Sequence, residues 1–292
     1  LAFQRKRTKK IRAESQPAES NEDPLYTVRI ASSEPGIDVG LYSAVGDRAG
    51  QQDAARVSDD YYYARTNTAF AVLCDGMGGL SGGERASQLS VTALYETFQR
   101  LHELPAQEIQ QFYKTMIRRL DAMVHGLKDE SGNLLGAGTT LTSIFLQGEQ
   151  LYWSAVGDSR IYLLHGDTIQ CLTEDHNYYK LLKERVKRGL ISQEEADREP
   201  KKEALISYIG IGGVEYINLC ENPITLQKGD CVLLCSDGLY RTLSEAEILH
   251  ILHTATEPMS VAAQRLVDAA IAKHKRHQDN TTVVVLKFGA QA

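Results

Sequence analysis

Aspartates set beside short apolar runs are the residues of this chain best placed to do chemistry. The run Ala69-Phe70-Ala71-Val72-Leu73-Cys74 ends in Asp75, which is followed by Gly76-Met77-Gly78-Gly79. Such a run is short enough for a buried strand, and the glycines let other groups approach the backbone closely. A lone Asp-Gly after a strand is equally a hairpin turn. Here, however, the pattern recurs: Val156-Gly157-Asp158, Cys235-Ser236-Asp237-Gly238 and Asp279-Asn280-Thr281-Thr282 each border an apolar run. The last aspartate precedes its strand whereas the others follow theirs, so antiparallel neighbours would gather them at one end of a sheet. Gathered carboxylates repel one another and lose hydration, at a cost of several kcal/mol per ion unless cations offset it. Every candidate ligand is an oxygen, with no Cys/His set at zinc spacing, so the chemistry points to Mg²⁺ or Mn²⁺.

Six short segments carry a resemblance to a known family. They are Asp75 to Gly79, Gly138-Thr139-Thr140, Val156 to Arg160, Leu172 to His176, Ser236 to Leu239 and Asp279 to Thr282. In this order they resemble the motifs of the PPM-type (type 2C) metal-dependent protein serine/threonine phosphatases, over about Gly40 to Phe288. Met77 in the Asp-Gly-x-Gly-Gly motif is similar to the bacterial branch. A further segment, Asp47-Arg48-Ala49-Gly50-Gln51-Gln52-Asp53, resembles the family's first motif.

The resemblance implies an α+β fold, two antiparallel β-sheets packed as a sandwich and flanked by helices on both sides, with a flap near the active site. It implies two bound Mn²⁺ or Mg²⁺ ions. Asp75 would bridge them, the Gly76 carbonyl would contact one, and Asp237 and Asp279 would complete the other, with Asp158 at a third, weaker ion or its waters. Arg48 would hold the substrate phosphate and Asp53 would lie beside the metals, with Gln52 making a weaker or water-mediated contact. The implied reaction is hydrolysis of phosphoserine and phosphothreonine by a water activated between the ions, without a phosphoenzyme. Met77 has no proton to give a leaving group. The implied partners are phosphoprotein substrates and an opposing serine/threonine kinase. Two alternatives stay open here: the same chemistry on a small phosphate ester, and a pseudophosphatase scaffold, which would be expected to lack one of the aspartates. Arg48 as an exposed turn residue and Asp158 as a turn aspartate are the corresponding plain readings.

The elements that must position these groups are visible as periodicities. Ala86, Leu89, Ala93, Leu94, Phe98 and Leu101 fall on one helical face, and Ile109, Phe112, Tyr113, Met116, Ile117, Leu120, Met123 and Val124 repeat the pattern after Pro105. Two amphipathic helices in succession should cover a sheet face. Gly136 to Thr140 lacks the Gly-Lys-Ser/Thr ending of a P-loop and leads into the strand-like Leu141 to Leu146, so it reads as tight backbone packing near the site. Leu151 to Leu164 reads as a hairpin turning at Gly157-Asp158-Ser159. Tyr178 to Gly189 has helical spacing and a basic face, and Ser192 with Glu195 forms a capping box. This region, about 177–215, matches the flap in position; it either guides phosphoproteins or is a solvated face. His274 and His277, three residues apart, resemble a ligand pair but read better as a solvated helix end.

With 292 residues, 42% hydrophobic and 24% charged, the chain suits one large domain, expected over 38–292. A formal charge of −6 argues against a general nucleic-acid binder. No apolar stretch approaches the roughly 20 residues that span a bilayer. The five cysteines, among them Cys74, Cys231 and Cys235 within apolar runs, read as reduced core thiols of a cytoplasmic protein. Residues 1–37 open with a basic run from Arg5 to Arg12, followed by an acidic one, and read as a flexible tail. A membrane-surface anchor is the alternative reading of that basic run.

Overall fold

The computed structural model describes residues 36–79, 82–101 and 104–290. In chain order the elements are β1 (Gly36–Ala44), β2 (Asp53–Val57), α1 (Asp60–Thr66), β3 (Thr68–Met77), α2 (Gly82–Gln99), α3 (Ala106–His125), β4 (Gly138–Thr139), β5 (Leu141–Gln147), β6 (Gln150–Val156), β7 (Arg160–His165) and β8 (Thr168–Cys171). Then follow α4 (Tyr178–Lys187), α5 (Gln193–Arg198), β9 (Asn218–Leu219), β10 (Ile224–Thr225), β11 (Cys231–Cys235), α6 (Asp237–Tyr240), α7 (Glu245–His253), α8 (Met259–Ile271) and β12 (Thr281–Ala290). The expected tail, 1–37, lies outside the described residues except for Gly36 and Ile37, which already belong to β1. Among the described residues no helix is long and apolar enough to cross a membrane.

The strands form two sheets. One runs β1-β12-β11-β7-β8; the other runs β10-β6-β5-β3-β2, with β4 on β3 and β9 on β6. Pairing is antiparallel throughout. Alternation along each strand sorts its side chains into layers. In β3, Ala69, Ala71 and Leu73 face the other sheet. Phe70, Val72 and Cys74 face α2 and α3. In β12, Val284 and Leu286 join the sandwich interior, whereas Val283 and Val285 pack against α7 and α8. The result is the expected α-β-β-α layering. Both faces of the central strands are covered, which is why they read as continuous apolar runs rather than as alternating ones.

Two expectations need correcting. Leu151 to Leu164 is not a hairpin: β6 pairs with β5, β9 and β10, while β7 pairs with β11 and β8 in the other sheet. Gly157-Asp158-Ser159 therefore crosses between the sheets. A turn signal records a reversal in direction but not which strand will supply the hydrogen bonds. The hairpins on either side of that crossing are β5–β6, which turns at Gly148 with φ 58°, and β7–β8, which turns at Gly166 with φ 53°. For the same reason the aspartates do not share one sheet. Asp75 ends a strand of one sheet and Asp237 and Asp279 border strands of the other, so they meet at one mouth of the sandwich.

The helix layer is locked by Phe98, which stacks on Phe70 at 5.0 Å and on Phe145 at 5.6 Å between ring centroids. It is 1% exposed. Replacing Phe98 with Ala should cost about 3–5 kcal/mol of unfolding free energy, measured as a lowered denaturant midpoint at unchanged m-value.

Candidate active site

The centre is built on one cross-strand pair. In the β2–β3 ladder Asp53 lies directly opposite Asp75, and the pleat puts both on the face that looks into the sandwich, in line with Ala55, Val57, Ala71 and Leu73. Like charges directly opposite are destabilising. From the other sheet, Asp237 opens α6 after β11 and Asp279 stands just before β12. Asp158 lies in the crossing from β6 to β7 and is 5% exposed.

Burial and mutual repulsion show in the titration of these groups. Desolvation, then the field of Asp53, Asp237, Asp158 and Asp279, holds the Asp75 carboxyl well above the usual carboxylate range. Burial pushes Asp53 up to about 7, against hydrogen bonds from Thr282 and Ser236 that favour its charged form. Asp158 is pushed up to about 6, mainly by burial and then by Asp237, with Arg241 opposing. Asp237 is also raised by burial, and Arg241 pulls it back.

Neighbouring residues hold the carboxylates in place. The Ser236 hydroxyl donates to Asp53 Oδ2 at 2.8 Å and accepts from the Thr282 N–H at 2.9 Å, which ties the two sheets together. The Asp75 backbone is clamped: its N–H donates to Thr140 Oγ1, and its carbonyl accepts from the Thr140 N–H and the Thr139 hydroxyl, each at 2.8 Å. A side chain at Gly138 would meet the Tyr208 ring at 2.5 Å, so the Gly138-Thr139-Thr140 segment is the tight backbone packing its sequence implied. Gly76 is equally constrained, since a Cβ there would collide with the Gly83 carbonyl that opens α2.

Residues not singled out from sequence complete the frame. Asn280 accepts from the Gln52 N–H at 2.8 Å and donates to the carbonyls of Val45 at 2.8 Å and Gly50 at 3.1 Å, fixing the loop that carries Arg48. Arg241 reaches back from the end of α6 to Asp237 and Asp158. Its position four residues after Asp237 was the available signal. Asp121 on α3 is buried and accepts from the N–H groups of Gly210 and Gly212 at 2.8 and 3.1 Å, anchoring the end of the flap segment.

Arg48 stands at the rim with its side chain 55% exposed and ion-paired to Asp279. Across the flap, Lys180 pairs with Glu174, and Lys183 lies over the Tyr179 ring at 4.7 Å. Lys183, Arg185, Lys187 and Arg188 face solvent. Ser192 and Glu195 make the expected capping box. His274 and His277 are exposed and in left-handed backbone. All five cysteines are free.

The donor set fits hard cations. Asp53 Oδ1 and Asp237 Oδ1 are buried carboxylate oxygens with no hydrogen-bond partner among the described residues, as expected of oxygens reserved for an ion. Among the described residues no three acidic, imidazole or thiol side chains are gathered closely enough to hold an ion as they stand.

Comparison with known proteins agrees with the fold. A family model described as protein phosphatase 2C matches residues 45–274. A serine/threonine phosphatase, stp, of Listeria welshimeri is 31% identical over 226 residues, covering 76% of this chain and 86% of that protein. The S. agalactiae serine/threonine phosphatase structure aligns with TM-score 0.74 at 28% identity, over 86% of this chain and 99% of that one. The catalytic domain of the serine/threonine phosphatase PstP, solved in complex with two manganese ions, aligns with TM-score 0.64 at 29% identity, over 86% and 98%.

One buried group beside the centre gives a pH signature. His176 is 2% exposed and accepts from the Gly157 N–H through Nδ1 at 3.2 Å, which requires a neutral ring. Burial, then Lys180, pulls its pKa down to about 4. Because the folded pKa lies below the unfolded one, the unfolded chain takes the proton first as pH falls. The neutral ring's contribution is therefore full above about pH 6.5 and is lost toward pH 4, by about 3 kcal/mol. An Asn at this position keeps the acceptor without titrating, so unfolding of His176→Asn should show a correspondingly smaller loss across that window; identical slopes for the two proteins would refute a neutral buried ring.

Proposed function

This chain belongs to the protein phosphatase 2C family, and from that premise we propose that it releases phosphate from phosphoserine and phosphothreonine of proteins using two Mn²⁺ or Mg²⁺ ions, with no phosphoenzyme. The observation that carries the reading is the apposition of buried Asp53 and half-buried Asp75, facing Asp237 and Asp279 across the sandwich mouth. Such an arrangement is costly for a purely structural purpose. The chain is a serine/threonine phosphatase of its family; the ion pair, the roles of individual residues and an opposing kinase acting on the same substrates are the proposed part.

In this reading Asp75 and the Gly76 carbonyl would hold one ion and Asp75, Asp237 and Asp279 the other; the number of ions is that of the related PstP structure, solved with two manganese ions. When bound, the ions supply Lewis acidity that acidifies an attacking water and offsets the phosphate's charge. The protein supplies position. Thr139 and Thr140 fix the Asp75 backbone, Ser236 fixes Asp53, and Asn280 fixes the loop bearing Arg48. Arg48, exposed at the rim, offers a planar fork that can turn from Asp279 to the equatorial oxygens of a phosphate. Met77 cannot donate a proton, so solvent at the mouth protonates the departing serine or threonine oxygen. No cysteine serves as nucleophile. Cys74 and Cys235 border the centre, yet both are fully buried on faces turned toward the helices, and burial raises their thiols.

A panel of phosphopeptides and small phosphate esters, assayed with and without Mn²⁺, tests the activity: metal-dependent release is expected, with phosphopeptides preferred. Asp237→Asn and Asp279→Asn should each remove most turnover and weaken Mn²⁺ binding while leaving the circular dichroism unchanged, because an amide is a poorer ligand for a hard cation. Wild-type metal affinity and turnover in either variant would exclude that residue as a ligand. For Arg48→Ala the expected loss is about 1.5–3 kcal/mol, appearing mainly in KM. If Mn²⁺ affinity collapsed while KM held, Arg48 would instead be a partner of the carboxylates alone.

A further inference from the structure

The carboxylate centre is unevenly supplied with positive charge. On the Asp279 side the pairing cation among the described residues is Arg48, exposed and at the rim. On the Asp158 side a guanidinium is built into the wall. Arg241 caps α6 and is 31% exposed; its Nε lies 3.0 Å from Asp237 Oδ2 and its terminal nitrogen 2.9 Å from Asp158 Oδ2. The same terminal nitrogen lies 3.4 Å from Glu203 Oε2, in the flap segment. The backbone carbonyl of Arg241 in turn accepts from Lys275 Nζ at 2.8 Å, which fixes the end of α6.

The two faces of Asp237 are thereby divided. Oδ2 is taken by the guanidinium, while the buried Oδ1 has no partner and is left for the ion at the centre. Asp158 has its Oδ2 committed to the same arginine. A divalent ion shared between Asp158 and Asp237 would have to compete with the guanidinium already held on their Oδ2 oxygens. An arginine is suited to hold the place because it stays charged at all accessible pH values and its planar fork serves two carboxylates at once.

We infer that Arg241 is a resident cation that replaces a third divalent ion at Asp158, and that through Glu203 it ties the position of the flap to the charge state of the centre. Asp158 is then an anchor for Arg241 and not a metal ligand. Arg241 is a positioning residue, acting on the metal centre through Asp237 and on the flap through Glu203. This rests on the two-ion reading of the centre and concerns only what lies beside it.

The test is the amount of Mn²⁺ bound per chain, measured by equilibrium dialysis of the full chain across a range of Mn²⁺ concentrations. Removal of the guanidinium in Arg241→Gln should free both Oδ2 oxygens and add about one further, weaker Mn²⁺ per chain. Arg241→Lys, which keeps a cation at the place, should bind as wild type does. The double variant Arg241→Gln with Asp158→Asn should lose the added ion. Asp158→Asn alone should leave the wild-type count unchanged, and this variant decides the matter even if Arg241→Gln folds poorly. Equal counts in wild type and Arg241→Gln, or a lower count in Asp158→Asn, would overturn the inference. Neither result touches the phosphatase reading, which fails on a different observation, the absence of Mn²⁺-dependent phosphate release by wild type.

Discussion

Repulsion among buried carboxylates is the constraint around which this fold is arranged. Asp53 and Asp75 face each other across an antiparallel ladder with Asp237, Asp279 and Asp158 close by. Desolvation alone raises the free energy of such a group by several kcal/mol per ion. A flexible protein would relieve this by letting the strands slip or splay. Here each strand is pinned on both faces by apolar packing, in β3 by Phe70, Val72 and Cys74 against the helices and by Ala69, Ala71 and Leu73 against the facing sheet. A one-residue slip would exchange those two sets of side chains between layers of different shape. The core therefore offsets the electrostatic cost of the site.

The frame works at short range through backbone contacts that only small residues permit. Gly76 passes against Gly83, Gly138 against the Tyr208 ring, and Gly157, at φ 101°, against Thr140. These approaches bring α2, the Gly138-Thr139-Thr140 strand and the sheet-to-sheet crossing into register around Asp75. The positive charge supplied by the chain itself is distributed unequally: Arg48 is solvent-facing, whereas Arg241 is lodged between two carboxylates. An exposed guanidinium on one side and an enclosed one on the other match the roles proposed for them, substrate capture and architectural support, respectively.

Much of this was readable from the chain because the relevant signals are local. Apolar runs ending in aspartate marked β3 and β11, the 3.6-residue periodicities marked α2 and α3, and Ser192 with Glu195 marked the start of α5. Each depends on residues within a few positions of one another. The hydroxyl and amide groups that steady the centre were harder to see. Ser236 and Asn280 act on Asp53 and on the loop around Gly50, 183 and 230 residues distant, and polar residues of this kind are common at turns.

By itself the sequence determined which oxygen-bearing side chains were candidates to hold a hard cation, and that strands covered on both sides would carry them. These follow from side-chain type and local spacing. Only the tertiary structure decided that β6 and β7 part into different sheets, that Asp53 stands opposite Asp75, and that Arg241 rather than open solvent faces Asp158. The physical reason is that strand partners and ladder register are chosen by packing over long separations. A β-strand carries no preference of its own for which neighbour completes its hydrogen bonds.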